Sequence, residues 1–390
     1  MTRVIFFIES PFTERDYSRY GIEILQKNGF NVEVWDFAPV LHPKVYQYVQ
    51  VSGAVSFGGY KRFLVQDEAL VAISELTHAC FVVSLITCRY ETFAIYRALS
   101  VVQVGYCMVV INAIPAQSTV KDPMAILAQM KQASPFQLFN ALISRIPFQY
   151  MGIRPATVLL AGGVQSIRHR NKHSMNQETK ILWAHTLDYD LYLNEQDKPI
   201  HEDAKMGVFL DEYLPFHPDY GSLGTSSPSG PEDYYPSLCR FFDFLEREYR
   251  VRIVIAAHPR ARYEDHPDYF GGRPVVKGET LELVRKSGFV ISHSSTALNF
   301  AVLFHKPVLF ITTNKIQQNQ KFSSVIHGLA VWLNKIPINV DGPLHLNWGK
   351  ELAIDLEAYA RYREAYIKKS GSPEKPAWQI FADFLKAVYV

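Results

Sequence analysis

Two short stretches carry residue types that could do chemistry together. Ser294-Ser295-Thr296 is a polar turn between an apolar run at 289–291 and residues of helical character at 297–304. His258-Pro259-Arg260 follows a second apolar run, at 252–257. A turn that opens a helix offers unpaired backbone N–H groups at the positive end of the helix dipole. Its hydroxyls add further donors, and the combination suits an anion, most often phosphate. A histidine can donate to a phosphate oxygen. As imidazolium it also offsets the charge that grows on a phosphate leaving group. Both motifs follow strands, so both are expected at the carboxyl ends of one sheet, where open α/β sheets bind ligands.

The elements that must hold these residues alternate. In the first half, apolar runs at 4–8, 31–36, 51–57, 81–86, 105–111, 157–161 and 180–184 read as strands. Helical patterns lie between several of them, at 16–28, 67–76 and 91–100. Alternation of this kind implies a parallel sheet covered on both faces. The first strand is not followed by GxGxxG, which argues against a dinucleotide site there. Residues 121–149 interrupt the alternation. Met124, Ile126, Leu127, Met130, Phe136, Leu138, Phe139, Leu142 and Ile143 recur at near-helical spacing. This insert reads either as a helical pair packed on its domain or as an amphipathic surface for lipid or a lipid-linked acceptor.

The second half repeats the pattern. Strands are expected at 207–210, 252–257, 275–276, 289–291 and 307–311, and helices at 231–248, 280–286, 350–367 and 376–388. The segment 221–230, rich in Gly, Ser and Pro, reads as an exposed loop. The chain therefore divides into an N-terminal acceptor-side domain at 1–200, a donor domain at 206–370, and a last helix at 371–390 returning to the first domain. Two such α/β domains facing a cleft are a ligand-binding architecture.

Composition bounds the function classes. At 390 residues the chain is long enough for two cores. Hydrophobic residues at 48% and charged residues at 20% describe a folded globular chain. A net charge of +2, with only short basic groups such as Arg168-His169-Arg170, does not indicate a nucleic-acid partner. Cys80, Cys88, Cys107 and Cys239 have no CxxC spacing, so free thiols in a reducing compartment are expected. The apolar start at 4–8 is too short for a signal peptide, and no run is long enough to span a membrane. The expected location is cytoplasmic, with peripheral contact at the inner membrane face if the insert meets lipid.

At His258-Pro259 and Ser294-Ser295-Thr296 the chain resembles the GT-B glycosyltransferases that use CMP-activated acidic sugars: bacterial sialyltransferases, related nonulosonate transferases and capsule Kdo transferases. Their HP and S-S/T motifs both contact the cytidine monophosphate. The detailed match covers about residues 251–312, including the step from Leu298-Asn299-Phe300-Ala301 to Lys306-Pro307-Val308. The resemblance implies a GT-B fold and donor contacts at His258, Pro259, Arg260, Ser294, Ser295 and Thr296. It also implies a nucleotide-sugar donor, a surface-glycan acceptor, and no separate cofactor. Inverting members carry an acidic pair in the N-terminal domain that includes the catalytic base. No D/E-D/E-G motif stands here.

The base is therefore sought among acids that follow strands. Glu9, Glu14 and Asp16 follow the first strand, and Asp188 and Asp190 the last strand of the first half. An inverting transfer needs one carboxylate to take the acceptor proton as the anomeric carbon becomes oxocarbenium-like. Each acid could instead be a helix cap or an ion-pair partner. Asp188-Tyr189-Asp190 also spells DxD, but a phosphate held by the HP and Ser-Ser motifs needs no metal, so none is expected. The pair Asp211-Glu212, after the first strand of the second half, could hold donor hydroxyls or cap a loop. Two further enzyme readings are a CDP-alcohol phosphotransferase and a UDP-sugar enzyme. The second is disfavoured because residues 297–304 contain no acid. A non-catalytic subunit of polysaccharide assembly is the remaining reading.

Overall fold

The computed structural model describes residues 3–46, 55–115, 146, 148–167, 175–217, 220 and 226–389. The chain forms two compact units. One is Met1–Ala113 with Val120–Leu187 and Lys368–Val390; the other is Asp188–Ile367 with Ile114–Thr119. The helix Leu187–Glu195 runs into the second unit, where Asn299 donates to Asp188 at 2.9 Å and Arg363 to the Tyr189 hydroxyl at 2.9 Å.

Among the described residues the first unit carries seven strands: β1 (Arg3–Ile8), β2 (Asn31–Asp36), β3 (Tyr60–Arg62), β4 (Cys80–Ser84), β5 (Gly105–Val110), β6 (Val158–Ala161) and β7 (Lys180–Trp183). They pair in parallel in the order β3-β2-β1-β4-β5-β6-β7. The continuous apolar run of β1 follows from burial on both faces. Val4, Phe6 and Ile8 face a core with Trp378, Phe381 and Leu385 of the last helix, Ala377–Tyr389. Ile5 and Phe7 face the opposite core with Trp35, Phe63 and Leu99.

The second unit holds β8 (Asp203–Leu210), β9 (Arg252–Ala257), β10 (Val275–Lys277), β11 (Ser287–Ser292), β12 (Val308–Thr312) and β13 (Ile338–Asn339). Their order is β10-β9-β8-β11-β12-β13, again all parallel. Phe209, Ile253, Ile255 and Phe289 pack under Tyr234, Leu238 and Phe241 of the helix Pro231–Tyr249. Gly207 is needed where β8 pairs with β11, because a Cβ there would enter the Phe289 ring opposite. Both units are thus Rossmann-like α/β layers, each with its strand order reversing beside its first strand.

Several expected elements differ. The helix expected at 16–28 is two helices, Glu14–Arg19 and Ile22–Lys27. They break at Gly21, whose φ of +57° and position against the Trp378 ring exclude a side chain. Of the strand expected at 51–57, residues 55–57 form none and 51–54 lie outside the described residues; β3 stands at Tyr60–Arg62. Lys61 and Arg62 hide this short edge strand from a reading of apolar runs; Lys61 lies over the Trp35 ring and Arg62 meets Asp36 at 3.5 Å. The helix expected at 350–367 splits into Trp348–Glu351, Leu356–Tyr362 and a wide turn, Arg363–Ile367. The insert near 121–149 lies almost wholly outside the described residues, as do Arg168-His169-Arg170 and residues 221–225 of the expected loop.

Candidate functional site

The strand order of the second unit reverses between β8 and β11, so their carboxyl ends diverge and leave room for a ligand. Three segments start there. Asp211-Glu212 leaves β8, His258-Pro259-Arg260 leaves β9, and His293 to Thr296 leaves β11. Tyr263, in the chain beyond β9, completes the group.

Asp211 is the central tether. One carboxylate oxygen accepts from the backbone N–H of His258 at 3.1 Å and the Tyr263 hydroxyl at 2.9 Å. The other accepts from the Tyr213 N–H at 2.9 Å. The side chain is buried, and burial pushes its carboxyl up to about 6 despite these donors. Asp211 therefore fixes the backbone from which the His258 ring projects.

The His258 ring is partly exposed and lies edge-on to the His217 ring, with centroids 4.9 Å apart. Its Nδ1 accepts from the Arg260 N–H at 3.2 Å. In the neutral ring this places the proton on Nε2, which becomes the donor. Pro259 and Arg260 are exposed beside it.

Across β8, Glu212 meets the Ser294 turn. Ser294 donates its backbone N–H at 2.6 Å to one carboxylate oxygen and its hydroxyl at 2.7 Å to the other. The Ser294 N–H expected to be unpaired is therefore occupied by an internal carboxylate. Burial, reinforced by the Asp211 charge, pushes Glu212 up to about 7. Ser295 Oγ accepts from the Ala297 N–H at 3.3 Å, Thr296 is exposed, and the helix that follows is only Leu298–Leu303. His293 anchors the turn from beneath. It is fully buried, and its ring nitrogens meet the Ile311 carbonyl at 2.7 Å and the Tyr234 hydroxyl at 3.1 Å. Burial lowers its pKa to about 4, so it is neutral at pH 7, with Nδ1 donating and Nε2 accepting.

The pH dependence of stability follows with opposite signs. Glu212 keeps a proton in the fold up to about pH 7 that the unfolded chain releases near 4.5. Its stabilising contribution is complete below 4.5 and lost as pH rises through 7. His293 does the reverse: its contribution is complete above 6.5 and lost as pH falls through 4. Glu212→Gln should remove the first limb only. The urea stability of wild type minus variant is expected to fall by about 2–3 kcal/mol between pH 4.5 and 7.5. A constant difference across that range would refute the assignment.

The first unit has a polar cluster at its own strand-order reversal. Glu9 follows β1. It accepts from the Thr87 N–H at 2.8 Å, the Thr87 hydroxyl at 2.6 Å and Arg89 at 2.7 Å, and lies 3.3 Å from His42. Burial would raise its pKa, but the His42 and Thr87 hydrogen bonds and the Arg89 charge together hold it below the usual glutamate value. Asp16 closes a capping box with Thr13, with the Thr13 hydroxyl donating at 2.6 Å, and Glu14 is an exposed first-turn acid of the same helix. Asp188 accepts from Asn299.

The structure thus ties His258 to Asp211 and Ser294 to Glu212, neighbouring acids that the sequence offered as donor-hydroxyl contacts or a loop cap. The signal available in sequence was an acid pair directly after an apolar strand. Its partners lie on other strands and carry no local mark. The His42–Glu9–Arg89 grouping was also missed, since its members leave three different strands. Among the described residues there is no group of three or more His, Cys, Asp or Glu able to hold a metal.

No family model matches the chain, and no curated protein matches it in sequence. Solved structures do match in fold. Calicheamicin glycosyltransferase CalG4 superposes with a TM-score of 0.51 at 10% identity, covering 100% of both chains. MnaA of S. aureus, solved with UDP, superposes with a TM-score of 0.50 at 12% identity, covering 100% of this chain and 97% of that one. At these identities the likeness is one of fold: two Rossmann-like, all-parallel domains of the GT-B kind.

Proposed function

We propose that the chain is a metal-independent glycosyltransferase. It moves an acidic sugar, of sialic, pseudaminic, legionaminic or Kdo type, from a CMP donor to a surface-glycan acceptor. The observation that carries this reading is the placement of His258-Pro259 and the Ser294 turn on either side of β8, at the strand-order reversal, joined through Asp211 and Glu212. In this reading His258 Nε2, Ser294 and Ser295 donate to the phosphoryl oxygens and take up the charge released as the glycosidic C–O bond breaks. Arg260, exposed beside His258, adds positive charge. Glu9 is the proposed acceptor-side base. Its lowered pKa makes it a weak one, which suits a reaction whose oxocarbenium-like centre forms before the acceptor proton leaves. The protein works in the cytoplasm, and its contact with a lipid-linked acceptor would fall to residues 121–149. No described helix is long and apolar enough to cross a membrane.

A UDP-sugar enzyme is the second reading, favoured by the fold shared with MnaA, whose structure contains UDP. The helix Leu298–Leu303 contains no acid to hold donor hydroxyls, which weighs against it. Titration calorimetry with CMP, CDP and UDP separates the readings. CMP is expected to bind in the micromolar range and UDP at least about tenfold more weakly. Tighter UDP binding would replace the donor class, and turnover of CDP-glycerol but not CMP-sugars would replace the reaction.

A further inference from the structure

Glu212 stands where an anion would be expected. Its two carboxylate oxygens take the backbone N–H and the hydroxyl of Ser294, the geometry with which a phosphoryl group would engage the same turn. Among the described residues no lysine or arginine pairs with it. The titratable groups around it are Asp211 on its own segment, Tyr234 on the helix Pro231–Tyr249, and His293 at the end of β11. His258 and Tyr263 connect to it only through Asp211. Tyr234 and His293 are neutral at pH 7, so the carboxyl has a like charge beside it and no described counter-ion.

We propose that Glu212 is a built-in occupant of the donor's phosphoryl site, and that donor binding displaces it from Ser294 with uptake of one proton from solvent. This rests on the donor reading above. An arriving phosphate monoanion would face two carboxylates across a low-dielectric turn, which disfavours both remaining ionised. Protonation relieves this. The neutral acid releases Ser294's donors and offers its own O–H to a phosphoryl oxygen. Without a donor the part-buried Ser294 groups stay satisfied, and anions unable to meet the rest of the site gain too little to displace the carboxylate. The raised pKa of Glu212 keeps the proton accessible near neutrality.

The test uses the methyl phosphodiesters of CMP and UMP, whose phosphates stay singly charged from pH 5.5 to 8.5. Binding to the full chain is measured by calorimetry in two buffers of different ionisation enthalpy. Wild type should take up close to one proton per nucleotide at pH 8, and its Kd should rise about tenfold per pH unit above 7. Glu212→Gln should bind with a flat pH profile and no proton uptake, and about tenfold more tightly than wild type at pH 8. PH-independent binding without proton uptake by wild type overturns the inference and leaves the donor reading standing, whether or not the variant folds. Binding of the UMP diester alone replaces the donor class while the proton linkage is still read. If neither diester binds at any pH, both fall.

Discussion

Trp378→Ala is expected to destabilise the first unit by about 3–5 kcal/mol, the range for removing a large buried aromatic. The Trp378 ring is fully buried and stands edge-on to Phe6, with centroids 5.1 Å apart, and edge-on to Phe381 at 5.7 Å. Its indole N–H donates to the Arg19 carbonyl at 2.6 Å, so truncation also removes that hydrogen bond. Gly21 has no side chain to collapse into the space, and its backbone is committed to the helix break. Urea unfolding followed by far-UV circular dichroism and by tryptophan fluorescence would resolve the two units. The transition of the first unit should move to lower urea while that of the second stays in place. A loss below about 1 kcal/mol would mean the last helix is not integral to the first sheet.

The second large effect is expected at His258. His258→Ala should slow sugar transfer or donor hydrolysis by about 10²–10³-fold, the usual cost of removing one donor to a developing oxyanion. Stability should change by less than about 1 kcal/mol, because the ring is partly exposed. The Asp211 tether acts on the backbone of His258 and survives the truncation. A kcat loss with donor affinity nearly kept would mark His258 as acting mainly on the leaving phosphate. An equal loss in binding would mark it as a ground-state contact. Unchanged turnover would remove His258 from the mechanism, and a collapsed variant would assign it a structural role.

Much of the architecture was legible in residue order because parallel strands buried on both faces read as unbroken apolar runs. The RVIFFI segment of β1 and the RIVIAA segment of β9 are of this kind. Elements without that mark escaped the reading. β3 is three residues long with two cations, and β13 has only two residues. The helix break at Gly21 packs against Trp378, far away in sequence, and local periodicity carries no trace of that contact.

The candidate site divides in the same way. Residue order alone implies that His258 and the Ser294 turn follow strands, and so stand on one edge of a sheet. That is a consequence of alternation, which residue order encodes. Only the tertiary structure decided what stands between them. β8 lies between β9 and β11, so Asp211 reaches back to His258 and Glu212 reaches across to Ser294, a residue 82 positions away. Hydrogen-bond partners across parallel strands are set by strand order, and strand order is fixed by how the whole sheet packs. For that reason the Ser294 turn could be read from the chain, and the carboxylate bonded to it could not.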